Sequence, residues 1–252
     1  MRFIVDLKEI KEDLVLRHPW ETSRVHFFLK FLKSNKRKEI KDILDVGAGD
    51  GFFAKGMRNS LAPFAQLYCF DIHYKEKNKE KKREENIFFV KNLPSQKFDL
   101  ILLMDVLEHV SSEKIFLDEL IEKNSHSETL FLISVPSWQS LYTQHDRKLE
   151  HFRRYSFKML EDSLKRSDLE IIHAGGLFYF LLIPRLFTKC FEIIFPEKNG
   201  TSDLGEWKWG YLVTNIVLYF LKIDHLFSIL FFKIGLRLPG LSLWALVRRR
   251  RV

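Results

Sequence analysis

Apolar residues recur along this chain at two spacings. Val25, Phe28, Leu29 and Leu32 lie three or four apart, which predicts a helix, and the basic run Lys36-Arg37-Lys38 would stop it. Residues 1–42 read as helical on that basis. Ile43-Leu-Asp-Val-Gly is a short apolar run ending in glycine, a first strand, and residues 50–60 look like the helix that follows. Further strands are expected at 66–72, 87–90, 98–104 and 129–135, with a sixth beginning at Leu169 to His173. The run 98–104 is nearly all apolar, as in a strand buried on both faces. Helices are expected at 112–123, with Ile115, Phe116, Leu120 and Ile121 inward, and from Ser156, a suitable N-cap, to Arg166. The segment 73–85 mixes Lys and Glu without an apolar face and reads as a solvated helix or loop. Alternating strands and helices predict an α/β fold with a parallel sheet.

The pattern changes after Gly175-Gly176. Residues 177–235 are aromatic and aliphatic with scattered charges, and Pro239 to Val247 reads as a last strand followed by Arg248 to Arg251. Four segments result: an N-terminal helical cap at 1–42, a core at 43–176, a hydrophobic helical insertion at 177–237, and a final strand with a basic tail at 238–252.

Charge alters this picture at one end only. The 252 residues carry a formal net charge of +8. From Trp207 onward there are eight cations (Lys208, Lys222, Lys233, Arg237 and Arg248 to Arg251) against one acid, Asp224, so the tail holds +7 of it. Hydrophobic residues at 46% with 29% charged exclude a disordered chain. Two cysteines, Cys69 and Cys190, imply no disulfide framework and fit a reducing compartment. Acidic and basic residues interrupt 1–20, so no secretory signal is expected. The longest uncharged apolar run of the tail, Tyr211 to Leu221, falls short of the ~20 residues that span a bilayer.

Candidate chemistry gathers at strand ends. In Leu44-Asp-Val-Gly-Ala-Gly-Asp-Gly51 a glycine turn follows a buried strand and lets backbone approach a ligand. Counting from Gly47, the third glycine of a dinucleotide fingerprint would fall on Phe52, so that fingerprint fails. Asp45 suits a cationic or amino-acid-like group. Asp71, at the tip of the second strand, can accept two ribose hydroxyls, and the fourth strand leads into Met104-Asp-Val-Leu-Glu-His-Val110.

LDVGAGDG at 44–51, FDIH at 70–73 and FDLILLMDVLEHV at 98–110, in this order and spacing, resemble the class I S-adenosylmethionine-dependent methyltransferases over about residues 40–175. The resemblance implies a doubly wound, mostly parallel, seven-stranded Rossmann-like sheet with S-adenosylmethionine as cofactor. It implies that Asp45, Gly47, Ala48 and Gly49 cradle the methionine part, that Asp71 holds the ribose, and that Ile72 packs on the adenine. Asn92 and Leu93 would flank the adenine, and Asp105 and Val106 would close the pocket beneath the sulfonium, with core packing an equal account of Val106. The family has a short hairpin between strands six and seven, where this chain has about 60 residues. Arg17-His-Pro-Trp-Glu-Thr-Ser-Arg24, Gln144-His-Asp-Arg147, His151-Phe-Arg-Arg-Tyr155 and Leu238-Pro-Gly-Leu-Ser-Leu243 resemble a bacterial subgroup, some of whose members are linked to lipid or envelope-sugar pathways.

Methyl transfer to a hydroxyl needs an in-line acceptor and a base. The loop after strand five offers His151 or His145 as base, with Asp146 and Glu150 beside them. Arg153 and Arg154 could bind an anionic acceptor group or brace the loop. Glu108-His109 reads as a helix N-terminal acid with a capping histidine. Two ligands alone are too few for a metal, though Glu150, His145 or His151 could complete a set, and no metal is expected. His18 and His26 read as surface or packing residues. The insertion starts above the site, where it could cap it, grip a hydrophobic acceptor, lie on a membrane, or form a helical subdomain that buries its apolar residues internally or in a dimer. Trp207, Trp209, Tyr211 and Tyr219 suit the headgroup level, and Lys208, Lys222, Lys233 and Arg237 suit anionic lipid. The sequence therefore predicts methyl transfer to a small or lipid-linked acceptor, at oxygen, by a cytoplasmic protein that is either soluble or peripheral at the inner face of the membrane. RNA methylation and a non-catalytic, membrane-associated cofactor-binding scaffold are the alternatives.

Overall fold

The computed structural model describes residues 17–35, 39–74, 86–194 and 209–250. Residues 1–16, Lys36 to Lys38, most of the Lys/Glu run, Trp207, Lys208 and Arg251 lie outside them. One seven-stranded sheet in the order β3-β2-β1-β4-β5-β7-β6 organises the chain. Its strands are β1 (Asp42–Val46), β2 (Gln66–Phe70), β3 (Ile87–Val90), β4 (Phe98–Met104), β5 (Ser125–Pro136), β6 (Leu169–Leu177) and β7 (Ser242–Arg249). The sheet is mixed, because β7 runs antiparallel to both β5 and β6. Strand β6 therefore points the same way as β1 to β5, and its carboxyl end reaches the same edge.

Period-two burial puts one helical layer on each face. Ile43, Leu100, Leu102, Leu132, Trp244 and Leu246 face α1 (Pro19–Asn35), α2 (Phe52–Leu61) and α7 (Tyr211–Lys233). Leu44, Ile101, Leu103, Ile133, Leu243 and Val247 face α3 (Glu113–Asn124) and α5 (Phe157–Lys165). On the first face Trp244 is fully buried, with Phe31 at a ring-centroid distance of 4.5 Å and Phe27 at 5.7 Å. Gly175 makes room for this: a Cβ there would stand 2.9 Å from the indole. A Cβ at Gly176 would strike the backbone of Leu238 and Gly240. The glycine pair thus marks close packing inside β6 rather than the end of a segment.

Other boundaries also differ from the sequence reading. Strand β5 starts four residues early, since Ser125 caps α3 and pairs directly with Phe98. Ile115 is exposed, because α3 turns Phe116, Leu117 and Leu120 inward instead. Strand β7 includes Arg248 and Arg249, and Arg248 reaches Glu170 on β6 at 2.5 Å. The loop expected after β5 contains α4 (Gln144–Lys148), started by a capping box between Thr143 and Asp146. Glu108-His109 belongs to a 3-10 turn, Leu107–His109, so it caps no α-helix.

Between β6 and β7 lie α6 (Leu182–Ile194) and α7. Helix α7 runs on through Lys222 and Asp224 for 23 residues and is, among the described residues, the one helix long and apolar enough to cross a membrane. In the fold its fully buried positions are Thr214, Leu221, Asp224 and Ser228. Asp224 accepts a hydrogen bond from the Tyr179 backbone N–H at 3.0 Å, and His225 Nε2 lies 2.8 Å from Ser23 on α1. Leu212, Ile216, Tyr219, Phe220, Leu226 and Leu230 face outward, with Leu212 74% exposed. Helix α6 follows the same rule. Arg185 bonds Asp146, Lys189 donates to the Tyr142 carbonyl at 2.5 Å, and Glu192 accepts from the Gln144 N–H at 2.6 Å. Ile183, Leu186, Phe187 and Ile194 are left exposed.

Candidate active site

A cleft of about 420 Å³ opens at the carboxyl edge of the parallel strands, where an open α/β sheet binds its ligand. Its floor is the turn after β1. Gly47 and Gly49 have φ of 71° and 54°, a left-handed backbone that glycine adopts without cost. Asp45 ends buried beneath this turn. Burial, opposed by Arg24 and reinforced by Asp71 and Asp50, pushes its carboxyl up to about 8. Asp105, held at φ 57° after β4, accepts from Ser134 Oγ at 3.2 Å and ion-pairs with Arg24.

Helix α1 forms a wall for which the sequence reading had no role. Arg24 stacks 4.5 Å from the Trp20 ring, and Arg17 lies 4.0 Å from the Phe52 ring while pairing with Asp50 and Glu21. His18, expected at the surface or in packing, lines the cleft, whereas His26 is exposed. The segment Arg17 to Arg24 stood out in the sequence, but only the fold places it across from β4.

Asp71, Ile72, Asn92 and Leu93, expected on the nucleoside side, lie apart from this opening. Asp71 is fully buried and accepts from the backbone N–H groups of Gly49 (3.2 Å) and His73 (2.9 Å). Burial raises its carboxyl pKa against those two bonds. Tyr74 covers the turn by donating to the Gly49 carbonyl. Ile72 and Leu93 pack partly buried against the core, Asn92 is exposed, and Val106 is a fully buried core residue.

The opposite wall is the segment after β5. Asp146 is its hub: buried, it accepts from Thr143 N–H (2.8 Å), Thr143 Oγ1 (3.2 Å) and Arg154 Nε (2.8 Å), and pairs with Arg185. Although burial opposes ionisation, those partners and His151 hold the carboxyl well below the usual range. His151 Nδ1 lies 3.0 Å from Asp146, and its ring stands edge-on to His109, centroids 4.6 Å apart. Desolvation and the Arg185 guanidinium lower the pKa of His145, which also lines the cleft. Arg154 lines it too, but its guanidinium is committed to Asp146 and the Ser137 carbonyl. Arg153 stands outside the lining and pairs with Glu113 at 2.7 Å. Glu150 sits at φ 59° beyond α4, also outside it.

Between the two walls lie Glu108 and His109. Glu108 is fully buried, and neither carboxylate oxygen has a hydrogen-bond partner on another residue. Burial raises its pKa well above the usual range, with Asp105 adding to the shift. Burial likewise lowers His109 to about 4, aided by His151. Phe178, Leu181 and Leu241, at the two ends of the β6–β7 connection, close the mouth.

The residues fit the amino-acid half of a sulfonium cofactor: a glycine turn without side chains, a buried carboxylate for an ammonium group, and acids on two sides. Comparisons with known proteins agree. The profile of a methyltransferase domain family matches residues 17–174. No curated protein sequence matches the chain. Among solved structures, the plantazolicin methyltransferase BpumL in complex with SAH is similar, with TM-score 0.52 and 16% identity, over 92% of this chain and 85% of that one. The plantazolicin methyltransferase BamL, in complex with a triazolic desmethylPZN analog and SAH, gives 0.53 and 14%, over 92% and 86%. With most of its length matched by the family profile, on a sheet of this order and with this glycine turn, the chain belongs to the methyltransferase-domain family and is a class I S-adenosylmethionine-dependent methyltransferase.

Proposed function

We propose that this enzyme works at a membrane surface and methylates a hydroxyl of a lipid-linked acceptor. The observation that carries this reading is the inverted polarity of α6 and α7. Both turn polar groups toward the protein, α7 alongside Leu221 and Phe232, and both leave many large aliphatic and aromatic groups outward, beside the mouth of the cleft. Water-facing helices have the opposite arrangement, because exposing large apolar side chains forfeits roughly 25 cal/mol per Å². An apolar surface of this extent is what an interfacial helix presents to acyl chains. Exposed Trp209, Tyr211 and Tyr219 suit the headgroup level, and exposed Lys222, Lys233 and Arg237 suit anionic lipid. Residues 177–237 then act as an insertion that docks the mouth of the cleft onto the bilayer.

In this reading Asp45, Gly47, Ala48 and Gly49 hold the methionine end of the cofactor, and Asp71, Ile72, Asn92 and Leu93 its nucleoside. S-adenosylmethionine supplies an electrophilic methyl group. His145 accepts the acceptor's proton, because its lowered pKa leaves the imidazole neutral. The basic tail argues less for RNA than its charge suggested, since Arg248 and Arg249 belong to β7 and Arg248 is paired with Glu170.

Flotation with vesicles containing phosphatidylglycerol tests the membrane reading. The wild type should float and the double variant F187E/L212E should stay in solution. A wild type left wholly unbound would sink the idea. Incubation with methyl-labelled cofactor and cell extract should place label in the organic phase, whereas label confined to the aqueous phase would exclude the lipid-linked acceptor.

A further inference from the structure

The floor of the acceptor side contains a group of side chains whose arrangement methyl transfer itself does not explain. Glu108, His109 and His151 each offer a ligand atom, and these atoms all lie within 4.8 Å of one another. A fully buried carboxylate with no partner for either oxygen is costly, and the cost is ordinarily removed by a bound cation or a donor. Among the described residues none donates to it. Arg24 is engaged by Asp105 through its Nη1, its Nε being buried without a partner too, and Arg154 is engaged by Asp146.

Both imidazoles are held from behind. The His109 ring donates to the Leu149 backbone, and its Nδ1 is buried without a partner, so the donating atom is Nε2 and a bare lone pair is left at Nδ1. His151 has Asp146 at its Nδ1, 3.0 Å away, which leaves Nε2 toward the cleft. A carbonyl behind one histidine and a carboxylate behind the other are the outer partners that metal-ligating histidines ordinarily have. A further bond, from the Phe152 N–H to the Glu108 carbonyl at 2.8 Å, ties the segment bearing His151 to the turn bearing the other two. Ligand bonds of ~2.1 Å in a tetrahedral site would draw the three atoms together by up to about 1.4 Å, within reach of side-chain rotation.

We propose that Glu108, His109 and His151 bind one divalent transition-metal ion, zinc or manganese by their two-nitrogen, one-oxygen donor set, with its open coordination positions facing the cleft. All three residues line the cleft, so an acceptor oxygen entering it can complete the coordination. Asp146 is then a positioning residue, orienting His151 for the ion while anchoring α6 through Arg185. The site stands on these residues alone and does not depend on the membrane reading.

The test is binding by the purified, untagged full chain, with no acceptor or lipid present. Equilibrium dialysis against Zn²⁺ or Mn²⁺, followed by elemental analysis, should find about one ion per chain. E108Q and H151Q should each weaken binding at least 10-fold. Both variants should keep the wild-type circular dichroism and still bind S-adenosylhomocysteine, which separates lost ligation from lost fold. Cobalt substitution gives a second readout: visible d–d bands that appear in the wild type and vanish in H109Q. Fewer than about 0.2 ions per wild-type chain, or full retention of the ion in the E108Q/H151Q double variant, would overturn the proposal.

Discussion

Helices α5 and α7 bury their sides by opposite rules. Helix α5 places Leu160 and Leu164 against the sheet and leaves Lys158, Glu161 and Lys165 to water. Helix α7 places Thr214, Asp224 and Ser228 inward beside Leu221 and Phe232, and leaves Leu212, Ile216 and Leu226 outward. Burial of apolar area holds α5 in place. Helices α6 and α7 are seated in good part by directed bonds: Asp224 to the Tyr179 backbone, His225 to Ser23, and Arg185 to Asp146. A helix seated by polar contacts keeps its apolar surface available for another medium.

The sharpest break in this comparison is at Asp146. Removing its carboxylate in D146A leaves Arg154 and Arg185 without their shared anion in a buried setting, a loss of about 3–5 kcal/mol. The melting temperature should fall and α6 should become sensitive to limited proteolysis. Unchanged stability would show that the hub is not what seats α6. Next comes a matched pair of truncations. L160A on α5 should cost about 2–5 kcal/mol in urea unfolding, while F187A on α6, where the ring is 71% exposed, should stay within about 0.5 kcal/mol and weaken only vesicle binding. Equal costs at the two positions would remove the contrast.

A smaller effect distinguishes the cofactor side. The Asp45 carboxyl, pushed up to about 8, is protonated in the free protein below that pH, and a cationic cofactor favours its ionised form. Affinity should therefore rise as pH goes from 6 to 8, by at most about 10-fold per pH unit, and level off above 8. Calorimetry should find a flatter profile for D45N. A second pH effect is expected at Asp224. Its folded pKa of about 6 lies above the unfolded value, so the folded state holds the proton more tightly. The stability this contributes is fully present below the unfolded pKa and is lost as pH rises through 6. Thermal melts between pH 4 and 7.5 should show that decline in the wild type and less of it in D224N.

Much of the sheet could be read from the chain because period-two runs and a glycine turn are local signals. β1, β3 and β4 fall within a residue of their expected limits. Those signals also picked out Asp45, Gly47, Ala48 and Gly49, which the fold places in the lining of the cleft. The walls of the cleft are another matter. Arg24 meets Asp105 across 81 residues and Arg185 meets Asp146 across 39, and no local pattern encodes either pair. Nor does periodicity reveal which stripe of α7 turns inward, since Tyr211 to Leu221 is apolar almost all round. Glu108-His109 offers two ligands in the sequence, with Glu150, His145 and His151 as candidates to complete the set, and the fold brings His151, 42 residues on, beside them.

The position of β7 between β5 and β6 has a consequence for assembly. On a ribosome, β6, α6 and α7 are all made before the strand that joins them to the sheet. Until residues 242–249 emerge, β6 has no neighbour to pair with, and two greasy helices hang from an unfinished body. The exposed apolar faces of α6 and α7 are therefore most in need of cover during synthesis, before any catalysis begins. A chain stopped short of Ser242 should aggregate or be degraded rather than persist as a smaller enzyme.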